Sequence, residues 1–160
     1  MLRIGLFGSA GSGKDSLFEA LQLFCSTLQR VAFGDVVKQC AGPLLALHGV
    51  DTANWTREEK DLHRPMLEQI GDLCWDLAGE QWLRDLPTTC VNTRIQRPVE
   101  ARAWLAAGGV LVEVHRGEPA TETEALYIEQ MRSLPHRNIY NTAGLWELAI
   151  GARTLIAELT

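Results

Sequence analysis

A run of small residues ending in one lysine, close to the amino terminus, constrains this chain most. Leu2–Phe7 is a short, mostly apolar segment with the length and composition of a buried strand. Gly8-Ser9-Ala10-Gly11-Ser12-Gly13-Lys14 follows at once, and a helical pattern then begins. Strand, glycine-rich turn, lysine and helix together are the layout of a phosphate-binding loop, G-x-x-x-x-G-K. Glycine and small side chains let the backbone curl so that successive N–H groups converge on an anion. The N-terminus of the following helix adds its partial positive charge at the same point. Lys14 then reaches the β- and γ-phosphates of a nucleotide as a compact charge. The expected ATP-binding residues are Gly8, Ser9, Ala10, Gly11, Ser12, Gly13, Lys14, Asp15 and Ser16.

The strict motif places Ser or Thr after the lysine, where this chain has Asp15, with Ser16 next. A carboxylate about 5 Å from a phosphate charge, at an effective dielectric of about 20, costs roughly 3 kcal/mol. Asp15 therefore either turns away, where it still favours the helix dipole, or helps hold a metal between itself and the phosphates. Ser16 supplies the hydroxyl expected near phosphate or Mg²⁺, so Ser16 and Asp15 are the metal candidates.

Along the chain, helical spans alternate with short apolar ones. The first helix is expected over Lys14–Phe24, with Leu17, Ala20, Leu21 and Phe24 inward. Arg30–Phe33 reads as a second strand, and Gly34-Asp35 as a turn into a helix over Val36–Leu47. Its inner face is Val37, Cys40, Leu44 and Leu45, with a kink or break at Pro43. His48–Thr56 reads as loop. Thr56 and Glu59 fit a capping box, and Pro65 a first-turn position, followed by a stripe of Met66, Ile70, Leu73 and Leu77. Trp75, Trp82 and Leu83 read as packing residues. Thr88–Asn92 is a third strand. Pro98 opens a helix with Val99, Ala103, Leu105 and Ala106 inward, closed by Gly108-Gly109. Val110–Val114 is a fourth strand, His115–Thr123 a polar loop, Glu124–Ser133 a helix and Asn138–Tyr140 a fifth strand. Thr142 caps a last helix, Gly144–Leu159, whose packing residues are Leu145, Leu148, Ile150, Leu155 and Ile156.

Strands separated by helices imply right-handed βαβ units and a parallel sheet covered on both faces. Ligands then bind outside the carboxyl ends of the strands, which carry Gly8–Ser16, Gly34-Asp35, Asn92-Thr93-Arg94 and His115-Arg116. The length of 160 residues fits one domain with its own core. A net charge of −5 without a Lys/Arg run argues against a nucleic-acid surface. No apolar stretch is long enough for a bilayer and the start lacks a signal-peptide layout, so no membrane is expected and the chain reads as cytoplasmic. The four cysteines, far apart and in apolar neighbourhoods, read as buried free thiols. The four histidines read as unpaired surface or polar-core residues.

Several segments, in order, resemble the deoxynucleoside monophosphate kinases of bacteriophages, a branch of the P-loop nucleotide kinases. GSAGSGKDS resembles that family's G-x-x-x-S-G-K-D-T loop, including the unusual aspartate. FGDVVK at 33–38 resembles F-A-D-x-x-K. REEKDLHRPMLEQIGD at 57–72 resembles R-E-E-K…R-P-L-L-Q-x-L-G. The stretch 91–116 resembles the strand, D-V-R-F-x-N-E-A-x-x-I and G-G-x-V-I-x-V-x-R. NIYNTAGLWEL at 138–148 resembles I-x-N-D-G-T-L-E-E-L.

The resemblance implies a three-layer P-loop kinase fold, with a five-stranded, mainly parallel sheet and helices on both faces. It implies a single domain over 1–160, with a monophosphate-binding helical region at about 35–85 and a short lid at about 115–137. The implied reaction transfers the γ-phosphoryl group of ATP, with Mg²⁺, to a dNMP, giving dNDP. Catalysis is then mostly positioning and charge neutralisation. Lys14, Arg94 and Asp35 are the catalytic candidates. Arginine suits an acceptor phosphate better than lysine, so Arg94 is the first choice and Arg64 the second. Asp35, Lys38, Arg97 and Arg116 complete the substrate-binding set. A phage-encoded enzyme would work in the host cytoplasm. The short lid leaves room for cations from a partner subunit, hence a homodimer.

Asn92 stands where the family pattern has aspartate, which removes a charge that hard cations favour. Two alternatives therefore stay open. One is a nucleotide-binding relative with weak or no turnover. The other is a P-loop kinase for a different small acceptor, such as dephospho-coenzyme A or a sugar acid.

Overall fold

The computed structural model describes residues 1–47, 49–50 and 56–160. Five strands form one sheet: β1 (Leu2–Phe7), β2 (Gln29–Val31), β3 (Thr89–Asn92), β4 (Val110–His115) and β5 (Arg137–Tyr140), in the order β2-β3-β1-β4-β5. Every pairing is parallel, with Ile4 opposite Val91 on one side and Val110 on the other. Parallel strands need crossovers, and here helices supply them. The helices are α1 (Lys14–Phe24), α2 (Phe33–Ala46), α3 (Arg57–Leu62), α4 (Arg64–Asp85), α5 (Pro98–Ala106), α6 (Glu122–Arg132) and α7 (Leu145–Leu159).

The chain divides into two compact units. The first comprises residues 1–31 and 86–160, and the second residues 32–85. In the first, α1 packs on α7 and α5 on α6 and β4. Its core joins Ile4, Leu6, Val91, Val112 and Val114 of the sheet to Leu17 and Leu21 of α1 and Leu148, Ala152 and Leu155 of α7. The buried run Ile4–Phe7 of β1 is what a central parallel strand, buried on both faces, requires. Because β1 crosses to one side of the sheet and β3 to the other, the chain reverses direction around β1, which makes a crevice above its carboxyl end.

In the second unit α2 packs on α4. Ala41 and Leu45 meet Met66, Leu67 and Ile70, and the Phe33 ring lies edge-on to Trp75 and Trp82 at 4.9 and 5.2 Å. The Thr56 capping box forms: Thr56 N–H donates to Glu59 Oε2 at 2.8 Å and Glu59 N–H to Thr56 Oγ1 at 3.2 Å.

Several expectations are corrected. The second helix begins at Phe33, so Gly34-Asp35 is its first turn, and Pro43 neither breaks nor ends it. Its buried face is Phe33, Val37, Ala41 and Leu45, with Cys40 and Leu44 exposed. The α4 stripe is half-buried at Met66 and Ile70 and then emerges, with Leu73 and Leu77 59% and 78% exposed. Helix α5 buries Ala101 and Trp104 and leaves Val99 outside. Trp104 lies so close over Gly5 and Gly109 that a side chain at either glycine would strike its indole. Phe24, Leu145 and Ile150 are exposed as well. Gly144, at φ 94°, is the N-cap of α7 in place of Thr142. All four cysteines are free, but only Cys90 is buried. The loop expected over His48–Thr56 lies mostly outside the described residues. No helix among the described residues is long and apolar enough to cross a membrane.

Candidate nucleotide-binding site

The turn between β1 and α1 sits at the carboxyl end of the central strand. Gly8, Gly11 and Gly13 have φ of 130°, 78° and 98°, values that L side chains rarely adopt. Gly8 and Gly13 are also sterically required. A Cβ at Gly8 would strike the Val114 carbonyl, and one at Gly13 the Asn141 amide. That amide donates to Ser12 O at 2.8 Å, and Asn141 N–H donates to His115 O at 2.9 Å, so the end of β5 pins the loop. From the other side Ser9 Oγ donates to Arg116 O at 2.7 Å. The curl is thus held before any ligand arrives.

Lys14 Nζ donates to Gly8 O and Ser9 O, each at 2.8 Å, and to Ser12 Oγ at 3.3 Å. Burial pushes its pKa down to about 8, Arg94 reinforces the shift, and the carboxylates of Glu124 and Asp15 oppose it. Arg94 is therefore near enough to repel Lys14. Among the described residues the Arg94 guanidinium has no hydrogen-bond or ion-pair partner. Two cations held near each other, one of them unpaired, form a natural anion site.

Asn92, which stands where the resembling family has aspartate, shapes the backbone here. Its Oδ1 accepts the Arg94 N–H at 3.0 Å, which fixes the turn that starts Arg94 outward from β3. Asp15 turns to solvent and pairs with Arg30 at 3.5 Å. Ser16 lies half-buried in the first turn of α1. Among the described residues no group of three His, Cys, Asp or Glu side chains could hold a metal. That donor set still fits Mg²⁺, which keeps several waters and takes most other ligands from phosphate oxygens.

Asp35, Lys38 and Arg64 belong to the second unit, where Lys38 Nζ lies 3.5 Å from Asp35 Oδ1. Arg97 is half-buried and gripped by Glu100, with Nε and Nη2 each 2.8 Å from Oε1. Arg116 is exposed at the head of the loop that follows β4.

Two features escaped the sequence reading. Glu124 Oε1 accepts the Ala10 N–H of the loop at 2.8 Å and its Oε2 accepts Ala120 N–H at 2.6 Å. The T-x-x-E spacing from Thr121 to Glu124 was a signal for a helix start, though not for contact with the loop. The second is Glu113, buried in β4, which Arg132 grips with Nε and Nη2 at 3.0 and 2.8 Å. His115 and His136 approach the same carboxylate at 3.5 and 3.7 Å, so neither is the isolated histidine expected. A cleft of about 630 Å³ lies between Ser9, the 115–119 loop and α6.

No family model and no curated protein matches the chain. Solved structures do. One is a gluconokinase from Sinorhizobium meliloti 1021, 15% identical over 99% of this chain and 93% of that one, with a TM-score of 0.55. Another is TT1252 from Thermus thermophilus, 18% identical over 99% of this chain and 98% of that one, with a TM-score of 0.54. Likeness at such identity concerns architecture, and on that level the chain is an α/β protein with the parallel-sheet fold of this gluconokinase.

Proposed function

We propose that the chain is an ATP-dependent kinase that phosphorylates a small anionic acceptor, and that this acceptor is a deoxynucleoside monophosphate. The observation that supports it most is the pairing of a preformed glycine loop and Lys14 with the unpaired Arg94. The order of the sequence segments that resemble phage deoxynucleotide kinases adds the nucleotide acceptor.

In this reading the loop N–H groups and Lys14 hold the β- and γ-phosphates of ATP. Arg94, started outward by Asn92, draws in the acceptor phosphate and offsets the charge of the transferring group. Ser16 is the hydroxyl that would hold Mg²⁺, with Asp15 available only after releasing Arg30. When bound, the ion neutralises phosphate charge. Asp35, Lys38 and Arg64 are the acceptor-binding candidates of the second unit. Arg116, exposed at the head of the loop after β4, serves the substrate phosphates, and Arg97 steadies the β3–α5 turn through Glu100.

A coupled assay of ADP release, with ATP·Mg²⁺ and a panel of dNMPs, NMPs, sugar acids and dephospho-coenzyme A, tests this. Turnover with dNMPs that vanishes in Lys14→Ala is expected. Turnover only with a non-nucleotide acceptor would replace the substrate, and ATP binding without turnover would leave a binding module.

A further inference from the structure

Helix α6 is fastened very differently at its two ends. At its carboxyl end, Ile128 and Met131 are buried and Arg132 grips the buried Glu113 with two nitrogens. At its amino end, Glu122, Thr123, Ala125 and Leu126 are exposed. There, among the described residues, Glu124 ties the helix to the loop after β1, its carboxylate accepting Ala10 N–H through one oxygen and Ala120 N–H, of its own segment, through the other. A carboxylate on an N–H of a phosphate loop, next to Lys14, occupies the chemical role of a phosphate oxygen.

We infer that Glu124 is a latch, an internal anion that closes the 118–124 segment onto the loop and must leave when a polyphosphate enters. This rests on reading Gly8–Lys14 as a phosphate site. A retained Glu124 would face the incoming negative charge at hydrogen-bond range, so ligand entry and release of the segment are coupled. The hinge is the buried end of α6. The energetic scale is that of one charge-assisted hydrogen bond, which corresponds to about tenfold in affinity.

The test is calorimetric titration of ATP and of inorganic tripolyphosphate into wild type and Glu124→Gln, with Glu122→Gln as the control that removes one charge from the same turn without touching the loop. Amide exchange at Ala10 and Ala120 is followed in parallel. The latch predicts about tenfold tighter tripolyphosphate in Glu124→Gln, little change in Glu122→Gln, and faster exchange at Ala10. Should Glu124→Gln not fold, Glu124→Asp, with the charge kept and the reach shortened, gives the same direction. Tripolyphosphate affinity that stays level or falls in the Glu124 variant, or rises equally in both variants, overturns the latch. Tightened tripolyphosphate without any ATP binding upholds the latch and removes the kinase reading instead.

Discussion

The two compact units are built on different principles. The sheet unit ties several buried polar groups to partners, although Thr93 Oγ1, Trp104 Nε1 and Asn141 Oδ1 are buried without one. Glu113 is gripped by Arg132, Glu100 by Arg97, Asn92 by the Arg94 backbone and Asn141 by Ser12. The helical unit has a small aliphatic cluster and one aromatic knot. Buried charge-assisted pairs hold groups in one geometry, whereas a small core opens locally at lower free energy. The first unit thus holds its loop in one geometry, and the second opens more easily.

Removing the central charge of the first unit is the strongest way to break that contrast. Lys14→Ala should lower kcat/KM by about 10³-fold while leaving the melting temperature unchanged or higher. Next comes the helical unit. Phe33→Ala should cost about 3 kcal/mol by emptying the place between Trp75 and Trp82. Hydrogen exchange should rise in α2 and α4 and stay slow in β1, β3 and β4. Arg94→Ala should raise the acceptor KM and lower kcat, together about 10²-fold, with ATP affinity barely moved. Unchanged acceptor kinetics would shift the acceptor site to another arginine.

Smaller effects sharpen the same picture. Glu113→Gln should destabilise the sheet unit by about 2 kcal/mol, read by denaturant unfolding, because Arg132 loses its carboxylate. Lys14 gives a pH signature. Its folded pKa, about 8, lies below the ordinary 10.5, so the unfolded chain binds more protons between those values. The cost of the buried ammonium is present below pH 8 and is relieved as pH rises toward 10.5. The stability gained by Lys14→Met should therefore shrink from pH 7 to pH 10, and wild-type anion affinity should fall above pH 8.

How much of this was legible depended on range. The bounds of α1, the Thr56–Glu59 box and the first-turn role of Pro65 rest on neighbours within four residues, and the chain obeys them. Helix faces were harder. In α5 the choice between Val99 and Trp104 is decided by Gly5 and Gly109 on distant strands, which leave room for an indole. In α4 the apolar period runs on through Leu73 and Leu77, although the cluster it meets stops at Ile70. The loop itself was plain, because glycine, lysine and strand spacing state its chemistry locally. Its neighbours Asn141 and Glu124 were not, since they arrive 129 and 114 residues later in the chain.

The central claim is that Gly8 through Ser16 cradle a triphosphate. Titrating ATP·Mg²⁺ into labelled protein and following the backbone amides by NMR tests it directly. The account predicts large, saturable shifts at Gly11 through Ser16 in the wild type, largely lost in Lys14→Ala. Loop amides that stay still at millimolar ATP, while the protein remains folded, would contradict it.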